Sequence, residues 1–147
     1  MINIDINNKV VGVKIDKRLV EKVASAVSRS LVLKKERCVS LVLVGDAVIR
    51  KLNKTYRKKD KITDVLSFEY LDKNFVGSTE DYLGEIFICY PQIKRQAVKN
   101  GNSIKKEFAL LLIHGLVHLF GYDHEKSVKD ERFFDKQQKT ILQKIGL

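Results

Sequence analysis

Apolar and polar residues alternate from Ile2 to Ile6, the pattern of a half-buried strand. Leu19, Val20, Val23, Val27 and Leu31 then recur at helical spacing, and Asp16 stands where it can cap that helix. Val39 to Val44 reads as a second strand ended by Gly45. Asp46 is placed to cap a second helix with Val48, Ile49, Leu52 and Tyr56 on one face. Val65 to Tyr70 predicts a third strand, residues 71–83 a loop of mixed polarity, and Leu83 to Tyr90 a fourth strand. Pro91, the only proline, suits the first turn of a short helix that stops near Gly101. Ser103 opens the next helix, and Gly121 can end it in the left-handed conformation. Ser127 opens a last helix carrying Phe133, Phe134, Ile141, Leu142 and Ile145. Short strands intermixed with helices predict an α+β fold, a small four-stranded mixed sheet with helices around it. The chain has 147 residues, 44% of them hydrophobic, with no internal repeat or linker, so residues 1–147 are expected to form a single domain.

Charge adds a partner class. Lys plus Arg number 28 against 18 Asp plus Glu, a net +10, and such a field attracts polyanions. Nucleic acid is the first expectation and an anionic membrane surface the second, while plain solubility needs no partner at all. Cys38 and Cys89 lie far apart in apolar, strand-like runs and read as reduced, buried thiols. The N-terminus shows no signal pattern, and the longest apolar run, Phe108 to Ile113, is far too short to span a membrane. A cytoplasmic protein without a membrane partner is expected.

The chemistry concentrates in one segment. All three histidines fall in HGLVHLFGYDH, residues 114–124. His114 and His118 are four apart on a predicted helix, so both imidazoles leave the same face. His124 can join them only if the chain reverses, and Gly121 tolerates the backbone that a reversal needs. The helix, FALLLIHGLVHLF, is apolar nearly all round, and buried imidazoles there need partners. One metal ion satisfies them together. Three imidazoles leave a fourth position open, the mark of a catalytic zinc site, although the Irving–Williams order lets other metals enter. We therefore expect one zinc ion per chain on His114, His118 and His124.

The same spacing fits the frame H-E-x-x-H-x-x-G-x-x-H of zinc peptidases, but Gly115 stands where their glutamate takes the proton from water. A zinc metallopeptidase is disfavoured for that reason. A phosphodiester hydrolase instead needs positive charge where its transition state gathers negative charge. Lys54, Arg57, Lys58, Lys59 and Lys61 precede the third strand. Arg57 suits the task best, because its planar fork holds a phosphate through two hydrogen bonds. The same cluster also reads as a solvated basic helix end that meets the helix dipole. Asp64 has the look of a cap, an arginine partner or a support for a metal ligand, and spacing does not choose among these.

Three blocks carry a family resemblance. HGLVHLFGYDH (114–124), YRKKDKITDVLSF (56–68) and LGEIFIC (83–89) resemble the motifs of the YbeY family of bacterial endoribonucleases, in the family's order. The departures are Ile62 and Glu69 where proline is common, Glu85 for aspartate and Val117 for leucine. The resemblance implies a zincin-like α+β fold, zinc on His114, His118 and His124, and a functional role for Arg57. His114 and Arg57 are then the expected catalytic residues, and Arg57, Lys58 and Lys59 the expected substrate-binding ones. The implied activity is zinc-dependent cleavage of single-stranded RNA, in maturation of the 3′ end of small-subunit (16S) ribosomal RNA and in ribosome quality control. Its implied partners are ribosomal RNA, the small ribosomal subunit and its assembly factors. The alternative is a metal-stabilised ribosome assembly factor without nuclease activity of its own.

Overall fold

The structure is a computed structural model that describes residues 1–70, 81–121 and 128–147. Residues 71–80 of the loop expected over 71–83, Tyr122 and His124, Ser127 and the side chains of Phe133 and Phe134 lie outside the described residues. In chain order the elements are β1 (Ile2–Asn8), α1 (Lys17–Ser30), β2 (Arg37–Val44), α2 (Asp46–Arg57), β3 (Val65–Glu69), β4 (Tyr82–Cys89), α3 (Tyr90–Asn100), α4 (Ile104–Leu119) and α5 (Val128–Lys144). The four strands form one mixed sheet in the order β1-β2-β4-β3. β1, β2 and β4 run parallel, and β3 is an antiparallel edge strand on β4.

Side-chain alternation divides the strands between two unequal cores. Val39, Leu41 and Leu43 of β2, with Ile86 and Ile88 of β4, face the larger one, together with apolar residues of α1, α3, α4 and α5. Val42, Val44, Phe87, Cys89, Leu66 and Phe68 point the other way and meet Ile49 and Leu52 of α2. β2 is thus buried on both faces, which is why its sequence is a continuous apolar run rather than an alternation. The same parity sends Val65 and Ser67 of β3 to the α4 side.

Several local expectations change in the folded chain. Gly45 is the N-cap of α2, with no side-chain cap bond. The Asp46 carboxylate instead takes two hydrogen bonds from Arg95 of α3, at 2.7 and 3.1 Å, and one from the Cys89 thiol at 3.3 Å. A bidentate guanidinium–carboxylate pair is stronger than a neutral cap bond, so it claims the side chain. The pair holds the Asp46 carboxyl below its ordinary range. Burial pushes the Cys89 thiol up to about 12, which leaves it neutral and inert. Both cysteines are free, Cys89 buried and Cys38 half-buried.

The apolar stripe of α2 is narrower than its sequence implies. Ile49 is buried, but Val48 and Tyr56 are 47% and 62% exposed, because α2 covers only the smaller core. Asn53, a polar residue beside Leu52 on the same helix, is buried instead. β4 ends at Cys89, one residue earlier than expected, because Tyr90 and Pro91 already begin α3.

Two glycines set how closely the layers approach. At Gly84 (φ 154°) a Cβ would run into the carbonyl oxygen of Phe68, so a side chain there would push β3 off β4. At Gly115 a Cβ would lie 3.0 Å from both Cδ1 and Cγ2 of Ile86. Ile86 is fully buried in β4, between β2 and β3, and has little room to retreat. Gly115→Ala gains about 1 kcal/mol of helix propensity but meets an overpacking penalty of about 1–3 kcal/mol. We expect a net loss of about 1 kcal/mol in urea unfolding, reduced when Ile86→Val removes one of the two nearest atoms. Additive effects in that double-mutant cycle would mean that the two positions do not press on one another.

Candidate metal centre and its cleft

α4 is the central helix of the larger core, buried on nearly every side, and its N-terminus is tied down by polar contacts. The Ser103 hydroxyl accepts from the Lys106 amide at 3.1 Å. Glu107, 3% exposed, accepts from the side chains of Asn100 and Asn102 at 3.1 and 2.7 Å. A helix held in this way presents its side chains at fixed positions.

His114 and His118 emerge from the part of α4 that lies along β3. Their rings are nearly parallel, 14° apart, with centroids separated by 6.0 Å. Their neighbours Ile113, Gly115, Leu116, Val117 and Leu119 are buried, whereas the two imidazoles are half-exposed and line a cleft of about 490 Å³. Nδ1 of His118 is buried and has no hydrogen-bond partner among the described residues. An unsatisfied buried polar atom costs about 1–3 kcal/mol, and a metal ion is one partner that removes the penalty. Two stacked imidazoles on a rigid helix, one with an orphan nitrogen, form a donor set that suits zinc or a similar borderline cation. His114 and His118 would supply two ligands. Among the described residues no group of three or more ligand-type side chains forms, and His124, the third expected ligand, lies outside them.

The opposite wall comes from Val65, Leu66 and Ser67 of β3, and the end wall from Asn53 and Arg57 of α2 with Lys59, Lys61 and Thr63 of the following turn. Arg57 donates from Nη2 to the Ser67 carbonyl at 2.8 Å and lies 5.2 Å from the centroid of the Phe68 ring. Antiparallel pairing explains why that carbonyl is available. The bonds of Asp64 and Tyr70 to β4 show that even-numbered residues of β3 bond inward, so Ser67 points its carbonyl to the free edge. Phe68 is itself braced edge-to-face by Tyr56 and Phe87. One N–H of the guanidinium and one of its faces are therefore used for orientation. Its other N–H groups have no acceptor among the described residues.

The remaining sequence candidates separate. Lys59 lines the cleft and Lys58 does not. Lys58 is the left-handed C-cap of α2 (φ 60°), its amide bonded to the Asn53 carbonyl. Asp64 is not an arginine partner: its Oδ1 accepts from the Val65 amide at 2.8 Å and its Oδ2 from Gln96 at 3.2 Å, so it builds the start of β3. Glu85 shares the parity of Phe87, so it lies on the sheet face away from the histidines. Gly115, at the position of the peptidase glutamate, faces Ile86 and the sheet. The sequence pattern alone does not point to Asn53, Thr63 and Ser67. Of these Asn53 carries a usable signal, since it is polar, lies on the inner stripe of α2 and stands four residues before Arg57.

The chain matches the family described as Endoribonuclease YbeY over residues 3–146. It is 41% identical to the Endoribonuclease YbeY of Aquifex aeolicus over 133 residues, covering 90% of this chain and 86% of that one. It is 37% identical to the Endoribonuclease YbeY of Ureaplasma urealyticum over 127 residues, covering 86% and 79% of the two chains. A Thermotoga maritima protein solved in solution superposes with a TM-score of 0.67 at 30% identity, over 99% of this chain and 89% of that one. Fold, motif order and sequence agree, and the chain belongs to the endoribonuclease YbeY family.

Proposed function

We propose that this chain is a zinc-dependent endoribonuclease that cuts single-stranded RNA in the cleft between α4 and β3. The observation that carries the proposal is the convergence of two parallel imidazoles, one with an orphan buried nitrogen, and an oriented arginine on one cavity. His114, His118 and His124 would hold the ion, the last by its place in the family motif. A zinc ion bound there would supply Lewis acidity to the phosphoryl group. Arg57, aimed by Ser67 and Phe68, binds the same phosphate and offsets charge as it develops. Lys59 and Lys61 hold neighbouring backbone phosphates. Such contacts position RNA without reading its sequence.

The net charge of +10 and the relatives' name support an RNA substrate. We assign the physiological role to maturation of the 3′ end of 16S ribosomal RNA and to ribosome quality control in the cytoplasm, beside the small subunit and its assembly factors. No helix among the described residues is long and apolar enough to cross a membrane. One observation favours the second reading, a metal-stabilised assembly factor. No carboxylate lines the cleft among the described residues, so no general base of that type stands there.

Purified protein is expected to carry about one zinc ion per chain by elemental analysis, and His118→Ala to lose most of it. A triple alanine variant at 114, 118 and 124 that kept a full complement would contradict the metal assignment. Arg57→Ala is expected to lower kcat/KM on a single-stranded RNA oligonucleotide by about 10²–10³, with little change in melting temperature because the residue is exposed. Arg57→Lys should restore activity only in part, since an ammonium lacks the fork. Wild-type turnover by Arg57→Ala would place the residue among ordinary surface charges.

A further inference from the structure

Asn53 is 3% exposed, yet it sits on the end wall of the cleft and takes no part in the chemistry described above. Its side-chain amide donates to the Lys61 carbonyl at 3.0 Å. Its main-chain carbonyl accepts from the Lys58 and Lys59 amides, the latter at 3.2 Å. The Lys61 amide closes back on the Lys59 carbonyl at 2.9 Å. One buried residue therefore holds both ends of the turn Lys58-Lys59-Asp60-Lys61. The turn also sorts its charges. Lys59 and Lys61 line the cleft. Asp60 does not, and an ion pair with Arg50, 2.8 Å, keeps it on the flank of α2. The turn thus adds two cations to the cleft beside Arg57, and the anion between them in sequence is held aside.

We propose that Asn53 is a positioning residue for substrate: it fixes this turn so that Lys59 and Lys61 grip the backbone beside the phosphate held by Arg57. The inference rests on the RNA reading given above. Asn53 touches the turn and not the reacting atoms, so its loss acts on substrate capture.

The test compares metal-loaded wild type with Asn53→Ala, the near-isosteric Asn53→Asp, and Arg50→Ala, which releases Asp60 without touching the core. Lys51→Ala, an exposed α2 lysine away from the cleft, controls for loss of one charge. On a single-stranded RNA oligonucleotide, both Asn53 variants are expected to raise KM about fivefold, the equivalent of one net hydrogen bond, and to keep kcat within about twofold of wild type. The dependence of log KM on log salt should become shallower by about 0.7 for each phosphate that the lysines no longer neutralise. The amides of Lys59 and Lys61 should exchange with solvent faster. Arg50→Ala should raise KM more than Lys51→Ala does, and it keeps the proposal testable if Asn53→Ala does not fold. Unchanged amide exchange, unchanged KM, or a fall in kcat at constant KM would each overturn the proposal. Absence of RNA cleavage by the wild type would reject the RNA reading instead, and amide exchange would still report whether Asn53 holds the turn.

Discussion

The close contact of Gly115 with Ile86 sets how near α4, and with it His114 and His118, lies to the sheet. With no Cβ at 115, the backbone of α4 lies directly on the central strand β4. The residues on either side of that contact are buried, and the two that turn away from it, His114 and His118, look toward the edge strand β3. Gly84 performs the matching task on the sheet, letting β3 draw close to β4. Move either layer outward by a side chain's thickness and the histidines and the Ser67 carbonyl no longer share one cavity. The glycine that removes the peptidase glutamate is thus also the residue that builds the layer spacing.

Polar contacts then orient the charges that this packing brings together. Arg57 is aimed by the Ser67 carbonyl, which the free side of β3 leaves available, and by the Phe68 ring, which strand parity turns toward α2. The N–H of Val65 on the same edge is taken by Asp64, which is held in turn by Gln96. The edge is blunted at two points, as isolated edges usually are, and one of the blunting groups is the arginine proposed above to bind the phosphate. Lysines of a single basic run divide between cleft and solvent because Asn53 and Arg50 fix the turn between α2 and β3.

Much of this is legible in the sequence. Alternation and capping place every strand and helix near its observed position, since each signal is local. The i, i+4 histidines and the glycine after them point to one face of one helix for the same reason. What fails depends on partners distant in sequence. Asp46 is expected to cap its own helix, but Arg95, far along the chain, claims it. Val48 and Tyr56 are expected to be inward, but the sheet face beneath α2 is too small to cover them. Asn53 shows in the sequence only as a polar residue on an apolar stripe, and what it does there depends on the turn it holds, which the pattern does not reveal. Lys58 and Lys59 are neighbours of identical chemistry, and only the left-handed backbone at Lys58 separates them.

Whether the imidazoles of α4 hold an ion that RNA cleavage requires is decided by a zinc titration of chelator-stripped protein, following bound metal and cleavage of a single-stranded RNA oligonucleotide in the same samples. Activity is expected to rise with bound zinc, to level at about one equivalent, and to be absent at every zinc concentration in His118→Ala. Full cleavage by stripped protein, or equal cleavage by His118→Ala prepared identically, would contradict it.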